Sequence, residues 1–269
     1  VDKNREEKYG RENRDPRDMD REKRREERME REEQRRKEAE EAALTTDARI
    51  TNSEGAEFSN AAREILYANS LGFCDTYRTT SFSLSVVPVA SQNGSMQRDY
   101  WYSSHRKLNG LEAAKTIGQK AADRTLRRLG AKQVKTQEAP VIFEPEMAAS
   151  LLRHLAGAVC GSSLYRKTSF LLDKIDQKIA ANGIFIEDNA RIPSALGSKP
   201  FDGEGLPTRQ TIVVENGVLK SYLLDSYSAR KLGLQSTGNA NRSFADAPSA
   251  SPSNLFFRPG TTKPEPKLE

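Results

Sequence analysis

Residues 81–90 read SFSLSVVPVA, and Asn93-Gly94 follows almost at once. Period-2 alternation places Phe82, Leu84 and Val86 on one face and Ser81, Ser83 and Ser85 on the other, as in a half-buried strand. Asn-Gly is the dipeptide that most tightly joins two antiparallel strands. The segment MQRDYWYSSHRK (96–107) supplies the returning strand, so 81–107 is expected to be a hairpin. Asn216-Gly217 repeats the signal between TIVVENG (211–217) and VLKSYLLD (218–225). GIFIED (183–188) reads as a further strand, and Val141-Ile142-Phe143 as a short buried one. Asn52-Ser53-Glu54-Gly55 reads as a turn.

Helical spacing separates these hairpins. Leu111, Ala114, Ile117, Ala121, Leu126 and Leu129 form one apolar stripe, with Gly130 at the position of a C-terminal cap. Pro145 stands where proline favours a first helical turn, opening MAASLLRHLAGAV to about Val159. SYSARKLG (226–233) predicts a short helix closed by Gly233. Hairpins interspersed with helices predict an α+β fold: a largely antiparallel sheet with packed helices, not a doubly wound parallel one.

Charge divides the chain at about residue 43. Residues 1–43 hold 15 Lys/Arg and 16 Asp/Glu, leaving 28 and 22 for 44–269, a net +6. Opposite charges recur four apart at Asp20/Arg24, Glu27/Arg31, Glu32/Arg36 and Glu33/Lys37, pairs that each favour a helix by about 0.2–0.5 kcal/mol. No apolar heptad accompanies them. Residues 1–43 are therefore expected to be a charged leader, helical or disordered. It would act as a solvated arm or a tether, or do nothing specific. Residues 1–20, without periodicity, and the tail TTKPEPKLE (261–269) are expected to be disordered. The globular part is expected over 44–260.

Several chemistries lack their residues. No apolar run approaches the roughly 20 residues of a membrane span, and the first residues of the sequence form no apolar signal core. Cys74 and Cys160 make no metal pair and no disulfide framework, which fits a reducing, cytoplasmic setting. The two histidines, His105 and His154, stand far apart. His154 and Cys160 are six residues apart, neither i+3 nor i+4. No G-x-S-x-G elbow, Walker loop or dinucleotide fingerprint occurs. Asp202 and Glu204 in FDGEG are paired carboxylates, or equally turn residues capping nearby amides.

TNSEGAEFS (51–59), TSFSLSVV (80–87), RDYWYSSHR (98–106), LLRHLAGAVCGSSLYRKTSFLLDKIDQKIA (151–180), PFDGEGLPTR (200–209), VVENGVLKSYLLDSYSARKLGLQSTGNA (213–240) and SNLFFRPG (253–260) together resemble the TldD/PmbA family, also called modulators of DNA gyrase. The resemblance implies the family's central domain and the first portion of its C-terminal β-rich domain. It also implies that family sequence is lacking at both ends, with the leader matching none of it. The zinc-bearing TldD branch carries H-E-x-x-x-H on the helix before the TSF segment. With His154 as its first histidine, Leu155 and Val159 replace the glutamate and second histidine. A frame fixed on Thr168-Ser169 puts Leu152, Arg153 and Gly157 there instead. HLAGAVxGxSLYRKTSFL is similar to the PmbA (TldE-like) branch.

That branch implies a catalytically silent subunit without a cofactor of its own, in a heterodimer whose zinc sits on a TldD-type partner. The pair would process or degrade extended or unfolded peptides. His154, Arg166, Lys167, Thr168 and Ser169 would shape a peptide cleft, with Asp202, Glu204, Thr237, Gly238 and Asn239 on its opposite side. No membrane partner is expected, and nucleic acid is not. Two other readings stand beside this one. A gyrase modulator or nucleic-acid-associated regulator would draw on the net positive charge of 44–269 and bind DNA in a salt-dependent way. A metallopeptidase in its own right would retain stoichiometric zinc.

Overall fold

The computed structural model describes residues 16–260. The expectations for 1–15 and 261–269 lie outside the described residues. Contacts divide the chain into two compact units: residues up to Ala61 with Thr80–Lys135, and Ala62–Thr79 with the chain from Thr136 onward.

The first unit opens with helix α1 (Pro16–Leu44). Residues 16–20 are thus helical, a correction to the disorder expected of them. Side-chain pairs hold the helix: Asp20–Arg24 at 2.6 Å, Glu27–Arg31 at 3.5 Å and Glu33–Lys37 at 3.5 Å. The fourth expected pair rearranges. Arg36 joins Glu33, while Glu32 takes Arg28 at 3.6 Å and the amide of Asn60 at 2.9 Å. The charged segment does not stay in solvent throughout, because Ala39 and Ala43 are fully buried in this unit's core.

Strands β1 (Ile50–Ala68) and β2 (Cys74–Gln92) pair along a long hairpin, whose distal part counts with the second unit. Strands β3 (Ser95–Arg98) and β4 (Trp101–His105) return along β2, pairing antiparallel with Val89–Gln92 and Phe82–Val86. Asn93 (φ 51°) and Gly94 (φ 77°) make the expected turn. Leu84 and Val86 are buried as the alternation requires, and Ala90 continues the row. Asn52-Ser53-Glu54-Gly55 is no turn between elements. It lies inside β1, where Gly55 alone departs, at φ 108°.

Helix α2 (Ala114–Arg127) closes this core with Ala114, Ile117 and Ala121. It meets α1 through Gly118, where an added β-carbon would lie 2.2 Å from the Ala39 carbonyl oxygen. The break between β3 and β4 is held from the same helix. Asp99 donates its backbone N–H to Thr125 Oγ1 (3.1 Å) and pairs with Arg124 and Arg128.

In the second unit, Val141-Ile142-Phe143 is exposed and lies in no strand, a correction to the buried strand read there. Helix α3 (Pro145–Val159) begins at the proline as expected and is followed by α4 (Gly161–Tyr165). The sheet runs β10-β5-β6-β7, every neighbour antiparallel: β10 (Leu255–Phe257), β5 (Ile186–Asn189), β6 (Gln210–Glu215) and β7 (Val218–Leu219). Asn216 (φ 48°) and Gly217 (φ 83°) form its hairpin turn. Helix α5 (Ser226–Leu232) is capped by Asp225, which accepts the Ser228 N–H at 2.7 Å, and ends at left-handed Gly233. A two-stranded pair, β8 (Ala240–Asn241) with β9 (Ser249–Ala250), completes the unit. Val159, Leu164, Val213, Leu219 and Leu223 fill the core.

Candidate functional site

The loop KPFDGEGLPT (199–208) begins with Lys-Pro and turns on Gly205 at φ 83°. Asp202 organises it. One carboxylate oxygen accepts the N–H groups of Glu204 and Leu206, each at 2.9 Å, and the other accepts Ala240 N–H at 3.1 Å. Asp202 is buried, so these donors offset the cost of removing its charge from water. Glu204 reaches the start of α5, accepting Ser226 N–H at 2.9 Å. Of the two readings open for this carboxylate pair, the bonds observed are those of backbone-capping residues.

Thr237, Gly238 and Asn239 gather against the same loop. Thr237 Oγ1 accepts the Leu224 N–H at 2.7 Å and donates to Asn239 Oδ1 at 2.7 Å. Gly238 sits at φ 73°, with the Pro207 carbonyl 2.7 Å from where a β-carbon would be. Asn239 donates to the Asp188 carboxylate at 2.6 Å and to the Ser251 carbonyl at 3.3 Å. Lys199 donates from Nζ to the Ala240 carbonyl at 3.1 Å. Burial pushes the Asp188 carboxyl above the ordinary range against the donors that pull it down. Burial likewise pulls the Lys199 amine below its ordinary value, against the opposing charges of Asp202 and Asp188.

Arg166, Lys167, Thr168 and Ser169 form a separate turn beyond α4. Thr168 Oγ1 donates to the Ser163 carbonyl at 3.1 Å, and Ser169 Oγ to the Ala158 carbonyl at 2.6 Å. Lys167 has φ 59°. Arg166 lies over the Tyr165 ring, which packs edge-on against Tyr227 of α5 at 5.4 Å. Of the residues named from the sequence, the structure thus joins Asp202, Glu204, Thr237, Gly238 and Asn239 into one network. It holds 166–169 in a second group. His154 stands exposed on α3, in neither group.

Lys199 and Asp188 escaped sequence reasoning, although both left a trace. Lys199 immediately precedes the PFDGEG stretch, and Glu187-Asp188 ends an otherwise apolar strand, where charge is costly unless held.

Cys160 is buried and lacks the setting of a reactive thiolate. Burial, followed by the nearby charges of Asp188 and Asp225, pushes its thiol up to about 12. Neither motif frame leaves a pair of zinc ligands on α3, since the frame fixed on Thr168-Ser169 holds Leu152, Arg153 and Gly157. In the frame starting at His154, the second histidine position is Val159, fully buried in apolar core, and the glutamate position is Leu155. Among the described residues, no group of three or more His, Cys, Asp or Glu could hold a metal ion. Among the same residues, no helix is long and apolar enough to cross a membrane.

Comparison with known proteins places this arrangement. Residues 15–129 match the PmbA/TldA metallopeptidase central domain and residues 136–269 the PmbA/TldA metallopeptidase C-terminal domain. The central-domain match takes in most of the charged segment expected to lie outside the family. The metalloprotease PmbA of Escherichia coli O157:H7 is 44% identical over 202 residues, 75% of this chain and 45% of that protein. A PmbA homologue of Buchnera aphidicola subsp. Baizongia pistaciae is 40% identical over the same shares. The chain thus spans about half the length of the curated relatives it matches. Among solved structures, a Bacteroides thetaiotaomicron protein described as a modulator of DNA gyrase superposes with a TM-score of 0.76 at 31% identity, covering 86% of this chain and 50% of that one. TldE from Thermococcus kodakarensis shares the fold, with a TM-score of 0.74 at 24% identity over 82% of this chain and 50% of that one. With both domain patterns matched in order along nearly its whole length, the chain belongs to the PmbA/TldD metallopeptidase family.

Proposed function

We propose that this chain acts as the non-metal-binding, PmbA-type subunit of a two-subunit peptidase. The zinc would sit on a TldD-type partner, and the assembly would process or degrade extended peptides. The observation that carries this reading is the replacement on α3. In the frame starting at His154, Leu155 and Val159 take the glutamate and second-histidine positions, and Val159 lies in the core with Leu164, Leu219 and Leu223. In the frame fixed on Thr168-Ser169, Leu152, Arg153 and Gly157 take all three. Neither frame leaves a histidine pair or a glutamate base on this helix. The chain's contribution would then be shape and main-chain pairing, which suits extended peptides because they add to a sheet edge without demanding sequence.

Co-expression with a TldD-type subunit tests the proposal. The expected result is co-purification, with peptidase activity above that of the TldD-type subunit alone. A full-length protein that neither associates with that subunit nor alters its activity would end it.

A further inference from the structure

Within the second unit, the distal hairpin and the loops 199–203 and 241–246 enclose a cavity of about 460 Å³. Its wall is aromatic. Phe201 is almost fully buried and meets Phe73 edge-on at 5.1 Å and Tyr77 at 5.0 Å, while Tyr67 tilts against Phe73 at 5.8 Å. Two cations also line it. Lys199 sits with its amine on the Ala240 carbonyl, and the Arg242 guanidinium lies 5.9 Å from the centre of the Tyr67 ring.

Two carboxylates line the cavity as well, both hydrogen-bonded. Asp202 spends its oxygens on three backbone N–H groups, and the Asp246 carboxylate takes the Ser243 hydroxyl. Burial opposes the charge of the Lys199 amine, which has Asp202 and Asp188 as counter-charges, while the exposed Arg242 guanidinium bonds the Asp246 backbone carbonyl at 3.4 Å. An anionic group entering the cavity would meet both cations, and an adjoining apolar side chain would cover the rings.

We propose that this cavity binds the carboxyl-terminal end of a peptide whose last side chain is aromatic or large and apolar, with Lys199 and Arg242 taking the carboxylate and Tyr67, Tyr77 and Phe201 the side chain. The inference rests on the peptide-handling reading above and narrows it to a substrate end. A pocket of this size, lined by apolar and polar groups in similar measure, is within the usual range for a ligand site. The pairing of a carboxylate with cations is of the strong, charge-assisted kind.

The test uses the full chain and two fluorescein-labelled octapeptides ending in Phe, identical except that one carries a free carboxylate and the other a terminal amide. Anisotropy titration should show the free acid binding about tenfold tighter or more. Arg242→Gln, at an exposed position, and Lys199→Met should each reduce that preference to about twofold or less. Arg242→Gln should do so with an unchanged thermal melt. Equal binding of acid and amide, no binding of either, or a preference that survives both substitutions overturns the inference. Equal binding leaves the subunit reading standing, since that reading is decided by association with the zinc-bearing partner.

Discussion

Asn239 donates its side-chain amide to the Asp188 carboxylate at 2.6 Å, and both side chains are buried, although the residues stand 51 positions apart. The other Asp188 oxygen accepts Ser253 N–H at 2.7 Å. The pair therefore ties β5 to the segments before β8 and after β9. Its loss would leave the buried Asp188 carboxylate with fewer donors.

Asn239→Ala should destabilise the protein by about 2–3 kcal/mol at neutral pH, since it strips a donor from a buried carboxylate. The pH dependence has a definite sign. The folded Asp188 carboxyl titrates above its unfolded value of 3.8. Its favourable contribution is therefore fullest below that value and falls as pH rises through the folded one. Protonation removes most of the need for Asn239. Urea melts should show a smaller penalty near pH 4 than at pH 7, and an equal penalty at both would refute the assignment.

Gly118→Ala should cost about 2–3 kcal/mol by overpacking the contact between α1 and α2. The single tryptophan, Trp101, belongs to the first unit and packs against its core, so its fluorescence reports this transition directly. An unshifted denaturation midpoint would mean that α1 does not dock through Gly118.

Of the two thiols, exposed Cys74 should react quickly with Ellman's reagent at pH 8, and buried Cys160 only after denaturation. The folded Cys160 thiol holds its proton to about 12, whereas the unfolded one releases it near 9.0. Stability from this group is full below pH 9 and then falls by about 1.4 kcal/mol per unit up to the folded value. Cys160→Ala should flatten that alkaline loss. Two fast thiols in the native protein would contradict the burial.

Installing the zinc motif in one frame, with Leu155→Glu and Val159→His, should not create a metal site. Burying an imidazole in place of Val159 should lower stability by about 3 kcal/mol or more. Elemental analysis should find zinc well below one equivalent. A stably folded double variant retaining stoichiometric zinc would show that the helix can present ligands after all, and would weaken the proposed silent role.

Local chemistry was readable wherever it acts over a few residues. Asn93-Gly94, Asn216-Gly217, Pro145 and Gly233 each set a backbone angle or remove a donor, and the structure uses each as expected. Val141-Ile142-Phe143 misled because β-propensity describes fit to a neighbouring strand, and none is supplied there. Asn52-Ser53-Glu54-Gly55 misled because a single glycine at positive φ also fits inside a long strand. The role of Ala39 and Ala43 was hidden by the charge around them. In the candidate site, Asp202 was visible through its glycines, whereas Lys199 acquires its character from Asp188 and Ala240. Partners so distant in the chain leave no local pattern.

The β1–β2 hairpin has a bearing on how this protein can be cut. Because residues 62–79 count with the second unit, the polypeptide changes unit at three places, near 61, 79 and 135. A protease acting only in the irregular stretch around 131–144 would sever one of three crossings, and the two halves would remain covalently interlaced in membership. A gene split there would give a downstream piece lacking Phe73 and Tyr77, the rings that surround Phe201. Complementation between two such fragments should therefore depend on the upstream piece donating its hairpin, in the manner of a split reporter.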